Sequence, residues 1–322
     1  MFQQISIISG LLLILIGFNI GILSGFFGVG GCFILTPLLN ILGLPMAQAV
    51  GTGLFFAVIV SSLGGIKHYL AGNALIKVSF IMGIVSFVGI RISQPLVIYL
   101  DSLNLADFYI RILYIILLLL LGFSTLKKKP VILSNDARFN LNPLRLFQKT
   151  KNVPPRIQIE PDALPVSIWP IVLIALLVGC LQGFLGVGGG FILVPVLIIF
   201  LNMQPHHAVG TSLITIVISS IFAAFLYFQE GQVLITVSLL LGFGSLMGVN
   251  FGVRATRNIT GNNLKQLYSI FLLLTSVGIA IKSFNHDFIS IVYMLCLSFS
   301  IGIIIIYQYY FERNNINKTE TE

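Results

Sequence analysis

The segment Gly25-Phe-Phe-Gly-Val-Gly-Gly-Cys-Phe-Ile-Leu-Thr-Pro37 decides the fold, because the chain repeats it as Gly183-Phe-Leu-Gly-Val-Gly-Gly-Gly-Phe-Ile-Leu-Val-Pro195. The copies agree at 10 of 13 positions and differ at 27/185, 32/190 and 36/194. Downstream, Ala49-Val-Gly-Thr52 matches Ala208-Val-Gly-Thr211, and Gly72 falls opposite Gly231. Because the matching segments keep their order and their place relative to the apolar runs, the chain consists of two duplicated halves.

The composition around these motifs is that of a membrane protein. Of the 322 residues, 57% are hydrophobic and only 9% are charged, and the mean hydropathy is +1.03. A soluble domain carries about a quarter of its residues as charged side chains. No segment alternates like a barrel strand, and long apolar runs satisfy their backbone in lipid as helices. We therefore predict an all-α polytopic membrane protein.

A spanning helix needs ~20 mostly apolar residues, and the chain offers eleven candidate helices. They cover residues 5–25, 30–43, 47–69, 74–98, 106–126, 166–184, 188–202, 206–228, 232–253, 263–282 and 288–310. The predicted fold has two homologous repeats of about five transmembrane helices, with short or broken helices at the Gly-rich motifs, and one further C-terminal helix. Its parts are a first repeat (1–126), a basic linker (127–165), a second repeat (166–282), and a final helix with a polar tail (283–322).

The orientation of the two repeats follows from parity and charge. If the short segments 30–43 and 188–202 both cross the bilayer, each half has five spans, and the second half is inverted relative to the first. Eight of the 18 Lys and Arg residues lie in 127–165, and basic residues beside spans are retained in the cytoplasm. Re-entrant short segments would move the Arg254–Lys265 cluster outside. We therefore predict inverted repeats with the linker and C-terminus cytoplasmic and the N-terminus outside.

The Gly-rich motifs are the first candidate for chemistry. Glycine opens a helix and exposes backbone N–H groups, and unpaired amides at a helix N-terminus form a small-anion site that needs no Lys or Arg. The candidate substrate-binding glycines are Gly28, Gly30, Gly31, Gly186, Gly188 and Gly189. Alternatively, glycines let helices pack closely, which explains the ladder Gly17-x-x-x-Gly21-x-x-x-Gly25 better. A Rossmann interpretation fails, because no strand precedes either motif.

Hydroxyl side chains near the start of the third helix of each half are further candidates. Thr52, Thr211 and Ser212 could donate hydrogen bonds to an anion, and the pairs Ser61-Ser62 and Ser219-Ser220 follow a few turns later. They could instead bond to a helix carbonyl four residues back, which is the commoner fate of Ser and Thr in spans. Both roles stay open for the serine pairs.

Charged and metal-binding residue types give weaker signals. Arg91 and its counterpart Asn250 could contact the substrate, or Arg91 could extend to the headgroups or pair with Asp101. The adjacent His206-His207 point in different directions, so a metal site is not expected. The three cysteines are scattered within apolar segments and predict neither a disulfide nor a cofactor. The linker mixes Pro, Asn and both charges, which favours a solvated loop over a nucleic-acid site.

At these motifs the chain resembles the sulfite exporter TauE/SafE family of membrane permeases. The resemblance rests on the two Gly-rich copies with Pro37 and Pro195 and on the two Val-Gly-Thr segments, and it covers about residues 8 to 282. It implies a carrier of the bacterial plasma membrane for sulfite, thiosulfate, sulfonates or related small organic anions, with the two glycine breaks in contact with the substrate. The sequence departs from the family at Cys32, at Arg91 and in the length of the linker.

The leading hypothesis is a secondary transporter in which a small anion binds between the halves. A coupling proton or ion is an expected partner beside the bilayer, and no GxxxxGK[ST] motif indicates an ATP-driven pump. An enzyme would need clustered acids, histidines or cysteines at membrane depth, and the sequence offers no such cluster, so we do not expect an enzyme. Two alternatives remain open: a non-transporting scaffold or accessory subunit that acts through the basic linker, and a cation carrier, against which the lack of intramembrane carboxylates counts.

Overall fold

The computed structural model describes residues 7–127, 154–157, 166–201, 203–283 and 287–319. Eleven α-helices lie in these ranges: α1 (Ile7–Phe27), α2 (Cys32–Ile41), α3 (Met46–Leu70), α4 (Ile76–Ser102), α5 (Ala106–Lys127), α6 (Ile168–Leu185), α7 (Gly190–Phe200), α8 (Pro205–Gln229), α9 (Ile235–Asn258), α10 (Gly261–Ser283) and α11 (Asp287–Thr319). A two-residue antiparallel pair, β1 (Arg156–Ile157) and β2 (Val166–Ser167), precedes α6. Most of the predicted linker 127–165 lies outside the described residues.

The helices confirm the predicted all-α polytopic fold. Within the described ranges, nine helices are long and apolar enough to cross a membrane, and the two that are not are α2 and α7. These two short helices are the ones that follow the Gly-rich motifs. Each motif ends the preceding helix, so the helical backbone is interrupted at the same place in both halves. We call these two interruptions, residues 28–31 and 186–189, the breaks.

The two halves interlock through their first and fourth helices. Helix α1 packs along α9, and α6 packs along α4. A Cβ atom on Gly21 would fall on the backbone of Ser245, and one on Gly248 would fall on the backbone of Phe18. Likewise, a Cβ on Gly179 would fall on the backbone of Ser86. Glycine ladders therefore let the helix backbones touch, as the packing interpretation of Gly17, Gly21 and Gly25 predicts.

Helices α3 and α8 form the central pair and run in opposite directions. Gly51, near the start of α3, lies against Tyr227 at the end of α8 and against Gln232 in the loop that follows, whereas Gly65 near the end of α3 lies against Ile214. The start of one helix therefore meets the end of the other. The loop after each helix also touches the start of the other, which places the two connecting loops at opposite ends of the bundle.

The short helix α2 completes a path from one end of the bundle to the other. Gly28, where the first break begins, lies against Val209 near the start of α8. Asn40, near the end of α2, donates from Nδ2 to Asp107 Oδ1 at 2.5 Å, and Asp107 lies in the first turn of α5. Since the starts of α8 and α5 are at opposite ends, the break and α2 together traverse the bundle.

Candidate functional site

The two glycine breaks have the same backbone conformation. Their glycines adopt positive φ angles: 73°, 69° and 73° at Gly28, Gly30 and Gly31, and 67°, 68° and 80° at Gly186, Gly188 and Gly189. A left-handed backbone costs other residues roughly 1–2 kcal/mol. Neither α2 nor α7 has a side-chain capping hydrogen bond at its N-terminus. The first backbone N–H groups of a helix have no partner inside it, except that in α7 the N–H of Ile192 bonds to the carbonyl of Gly189 at 3.1 Å.

Each break is pressed against the Ala-Val-Gly-Thr segment of the other half. A Cβ on Gly28 would lie 2.8 Å from the Cα of Val209, and a Cβ on Gly186 would lie 2.6 Å from the Cα of Val50. Both distances are too short for a side chain. The two duplicated motifs are thus contact partners across the halves, which explains why they occur together in each half.

The two breaks meet at a buried centre between the halves. A Cβ on Gly190, the first residue of α7, would fall on the backbone of Val29. Ile216 of α8 packs against both sides, 3.2 Å from the Cβ position of Gly30 and 3.4 Å from that of Gly188. Apart from Ile216, these residues belong to the two Gly-rich motifs, and all are buried. The N-termini of α2 and α7 therefore approach one another in the protein interior.

The predicted threonines contact the opposite half rather than the breaks. Thr52 Oγ1 accepts a hydrogen bond from the backbone N–H of Leu234 at 3.0 Å, and Thr211 Oγ1 accepts one from Leu75 at 3.0 Å. Leu234 and Leu75 are the equivalent N-cap residues of α9 and α4. These hydroxyls hold the loops of the opposite half, and their role as substrate contacts stays a prediction.

The third predicted hydroxyl lies directly on a break. Ser212 Oγ donates to the carbonyl of Gly28 at 2.7 Å. The equivalent carbonyl of Gly186 receives a hydrogen bond from Thr36 Oγ1 at 2.9 Å. In the first half the residue that corresponds to Ser212 is Gly53, and a Cβ there would lie 2.6 Å from Thr36 Oγ1. In each break, one glycine carbonyl therefore accepts a hydrogen bond from a side-chain hydroxyl. The donors occupy non-equivalent positions, since Ser212 lies on α8 and Thr36 on α2.

Arg91 and Asn250 are not brought to the breaks. Arg91 is exposed on the outer face of α4. The Asn250 side chain donates to the carbonyl of Leu246 in its own helix at 3.1 Å. The described positions therefore favour a role for Arg91 at the surface of the bundle.

The adjacent histidines His206 and His207 are both half-buried at the start of α8. Within the described ranges, no group of three or more His, Cys, Asp or Glu side chains lies close enough together to hold a metal ion.

Sequence reasoning missed two polar residues beside the breaks, Ser24 and Gln182. Both are fully buried, and each stands directly before the first glycine of its motif. Their backbone carbonyls accept hydrogen bonds from Gly28 and Gly186, at 2.9 Å in both cases. A polar residue at the same motif position in both copies of an otherwise apolar helix is the signal that could have found them.

A charged cluster at the end of α2 was also missed. Lys282 Nζ donates to Asn40 Oδ1 at 2.5 Å, and Arg111 forms an ion pair with Asp107 at 2.8 Å. A cavity of about 540 Å³ lies beside them, lined in part by Asn40, Asp101 and Asp107. The members come from four segments that are distant in sequence, so spacing gave no hint of them. They form a polar vestibule at the end of the bundle where α2 stops.

Comparison with known proteins identifies relatives over most of the chain. The sulfite exporter TauE/SafE family matches residues 13–279. The probable membrane transporter protein YdhB of Bacillus subtilis is 26% identical over 84% of this chain and 98% of its own length. The probable membrane transporter protein MJ0441 of Methanocaldococcus jannaschii is 26% identical over 81% of this chain and 91% of its own length. No solved structure matches.

Proposed function

The chain belongs to the sulfite exporter TauE/SafE family of membrane transporters, and we propose that it carries a small anion by alternating access between its halves. The proposed substrate is sulfite or another sulfur-containing or organic anion. One observation carries the proposal: two helix N-termini without side-chain caps, those of α2 and α7, approach each other in a buried centre.

The physical role of this centre is to replace the hydration shell of the anion. Each helix N-terminus carries about half a positive charge, together with N–H groups that point along the helix axis. Such an end binds an anion without Lys or Arg, and burial strengthens the attraction because the local dielectric constant is low. Gly28, Gly30 and Gly31, with Gly186, Gly188 and Gly189, are the proposed substrate-contacting residues of the two breaks.

The reciprocal contacts of the halves support transport by rocking. The contacts of Thr52 with Leu234 and of Thr211 with Leu75 are equivalent, although α3 and α8 run in opposite directions. This is the arrangement expected of inverted repeats that bind a substrate at their interface. We propose that the two halves rock about the α3–α8 pair and open the breaks to one side at a time.

Charge supports an orientation in a bacterial inner membrane. The end that carries Lys67, Arg254 and Lys265 would face the cytoplasm under the positive-inside tendency. The vestibule of Asp101 and Asp107 and the N-terminus would then face outside, and the linker and C-terminus would be cytoplasmic. Export of an anion would follow the membrane potential, whereas uptake would require a coupled proton or ion.

Flux into proteoliposomes tests the proposal. Purified protein would be reconstituted, and uptake of radiolabelled sulfite would be measured with thiosulfate, sulfate, sulfonates, lactate and simple cations as competitors. We expect saturable flux that anions block and cations do not. Protein-free liposomes are the control.

Two results would contradict the proposal. Folded protein that shows no saturable flux with any labelled anion would favour an accessory role. Trimming the linker 127–165 would then be the next step, because an accessory function should be lost with it. Flux that cations compete for, and anions do not, would identify a cation carrier.

A further inference from the structure

Four buried polar side chains surround the breaks at equivalent positions of the two halves. Ser24 and Gln182 stand directly before the repeated motif, and Ser61 and Ser220 each follow nine residues after Thr52 and Thr211. All four are fully buried. Duplication therefore placed one polar residue on the first helix and one on the third helix of each half, next to the glycines.

In the second half, these two side chains bond to each other. Gln182 Nε2 donates to Ser220 Oγ at 3.0 Å. The other amide atom, Oε1, has no hydrogen-bond partner among the described residues. It lies 3.2 Å from the Cβ position of Gly189, so it faces the second break at the start of α7.

In the first half, the two side chains are both short and do not bond to each other. Within the described part of the chain, neither Ser24 Oγ nor Ser61 Oγ has a hydrogen-bond partner. Ser61 Oγ lies 3.0 Å from the Cβ position of Gly30 and therefore faces the first break. Three buried polar atoms of this set are thus unsatisfied, and two of them, Ser61 Oγ and Gln182 Oε1, face the breaks. Folded proteins avoid such groups unless a ligand or water completes them.

We propose that Ser61 and Gln182 bind the substrate, each beside one break, and that they determine which oxyanions the transporter accepts. This inference rests on the proposed function. The Ser61 hydroxyl donates to one oxygen of the anion, alongside the N–H groups that follow Gly30. Once the Gln182 amide is turned so that Nε2 faces the break, the two side chains suit a ligand with at least two acceptor oxygens, one for each break.

Gln182 donates a hydrogen bond to the anion when its amide group is rotated by a half-turn. The oxygen and nitrogen of a glutamine amide exchange places by a half-turn, and the hydrogen-bond network decides between them. With Nε2 towards Gly189, the amide donates to the anion, and Oε1 accepts from the Ser220 hydroxyl, which can donate as well as accept. Ser220 is thus a positioning residue, which holds the amide in either orientation.

The difference between the halves also locates the anion. Gln182 extends across to Ser220, whereas Ser24 is too short to make the equivalent bond. In the first half, the hydroxyls of Ser24 and Ser61 therefore both remain available to a ligand. We expect the anion to lie closer to Gly30 than to Gly188, with Ser61 as its strongest side-chain partner.

The test compares Ser61→Ala with Ser62→Ala. Ser62 is the matched control, because its hydroxyl bonds to the carbonyl of Val58 in its own helix at 2.5 Å. Loss of a hydrogen bond to a charged ligand raises KM for sulfite flux about tenfold or more in Ser61→Ala, and Ser62→Ala leaves KM unchanged. Gln182→Met should raise KM as well, with Ser219→Ala as its control, since Ser219 bonds to Thr215 of its own helix.

Thermal stability separates a binding role from a structural one. Because Ser61 Oγ has no hydrogen-bond partner among the described residues, Ser61→Ala should not lower the melting temperature without ligand. It should instead reduce the upward shift that sulfite causes in the wild-type protein. A variant that melts earlier while its KM and sulfite shift stay normal would assign Ser61 a structural role and overturn the proposal.

The outcomes distinguish this inference from the proposed function. Wild-type flux with an unchanged KM in both Ser61→Ala and Gln182→Met would refute the inference and leave transport standing. Absence of saturable anion flux in the wild-type protein would refute both. If Gln182→Met does not fold, the pair Ser61→Ala and Ser62→Ala decides alone.

Discussion

The two halves share the backbone of their breaks but differ in the side chains around them. The three positive-φ glycines, the short helix that follows and the contact with the opposite Ala-Val-Gly-Thr segment are the same in both. The side chains differ in two ways. In one case, a hydroxyl at another position makes the equivalent hydrogen bond. In the other, the equivalent hydrogen bond is not made.

The compensated difference concerns the hydroxyl on each break. The carbonyl of Gly186 is served by Thr36, and the carbonyl of Gly28 is served by Ser212. The halves differ at both positions, since Val194 stands opposite Thr36 and Gly53 opposite Ser212. The buried carbonyl therefore accepts a side-chain hydrogen bond in both halves, and the role of Ser212 as a substrate contact stays a prediction.

The uncompensated difference concerns the polar pair beside each break. Gln182 and Ser220 bond to each other, but Ser24 and Ser61 do not. Since buried hydroxyls without a partner cost roughly 1–3 kcal/mol each, their retention at this place requires another role. The comparison thus separates the groups that build the breaks from those that remain available for a substrate.

The largest expected effect comes from the glycines that touch the opposite half. Gly28→Ala or Gly186→Ala adds a Cβ within 2.8 Å or 2.6 Å of a valine Cα, at a positive φ. Backbone strain and overpacking together should destabilise the protein by about 2–5 kcal/mol. The measurement is the apparent melting temperature in detergent.

The matched controls for these variants are Gly72→Ala and Gly231→Ala. Both glycines have a positive φ, but no atom lies within 4 Å of an added Cβ. They should show the backbone strain alone, about 1–2 kcal/mol. Equal losses of stability in all four variants would contradict the close contact of the breaks with the opposite half.

The second prediction exchanges the hydroxyl positions of the halves. Thr36→Ala leaves the Gly186 carbonyl without a donor, which should cost about 1–3 kcal/mol. Adding Gly53→Ser reproduces the position of Ser212 and should recover part of that stability. Gly53→Ser alone should be less stable than the double variant, because its Cβ would lie 2.6 Å from Thr36 Oγ1.

Melting temperatures of the two single variants and the double variant form a double-mutant cycle. The account predicts a favourable coupling energy between positions 36 and 53. Additive losses would mean that the hydroxyl cannot be moved between the two positions.

The third prediction concerns the reciprocal threonines. Thr52→Val and Thr211→Val each remove the acceptor for one loop N–H, of Leu234 and Leu75 respectively. The two variants should lower stability by a similar amount, about 1 kcal/mol each, and leave KM for the anion unchanged. An increase in KM, rather than a loss of melting temperature, would restore these threonines as substrate contacts.

The smallest effect is expected at Arg91. Its side chain is exposed on α4, whereas the breaks are buried, and surface substitutions usually change free energies by less than about 0.5 kcal/mol. Arg91→Gln should therefore change KM by no more than about twofold. A large rise in KM in proteoliposomes would bring Arg91 back into the binding site.

The sequence predicted the architecture well, because glycine and apolar runs act locally. All eleven predicted helices are present, and the breaks fall where the repeated motif predicts them. It did not predict that Thr52 and Thr211 would hold the opposite loops, since those contacts join residues more than 180 or 130 positions apart. The vestibule residues Asn40, Asp107 and Lys282 were missed for the same reason.

The breaks themselves also show the limit of sequence reasoning. Exposed N–H groups follow from the glycines, but the partners of a buried side chain do not follow from its position in the chain. Ser61 and Ser220 occupy equivalent places, yet among the described residues Ser220 has a partner and Ser61 does not, because Gln182 is long enough to reach Ser220. A side-by-side comparison of the folded halves was needed to distinguish them.

The location of the substrate is the central claim, and Cys32 can test it directly. Its thiol is fully buried, donates to the Gly53 carbonyl at 2.8 Å and lies 3.7 Å from the Cβ position of Gly188. In a variant with Cys180→Ala and Cys296→Ala, a small thiol reagent reaches Cys32 only when the breaks open.

The measurement is the rate of Cys32 alkylation in proteoliposomes, with and without an anion that the protein transports. The account predicts that a saturating concentration of this anion slows alkylation, whereas an anion that does not compete for flux has no effect. An alkylation rate that the transported anion leaves unchanged would contradict a substrate site at the two breaks.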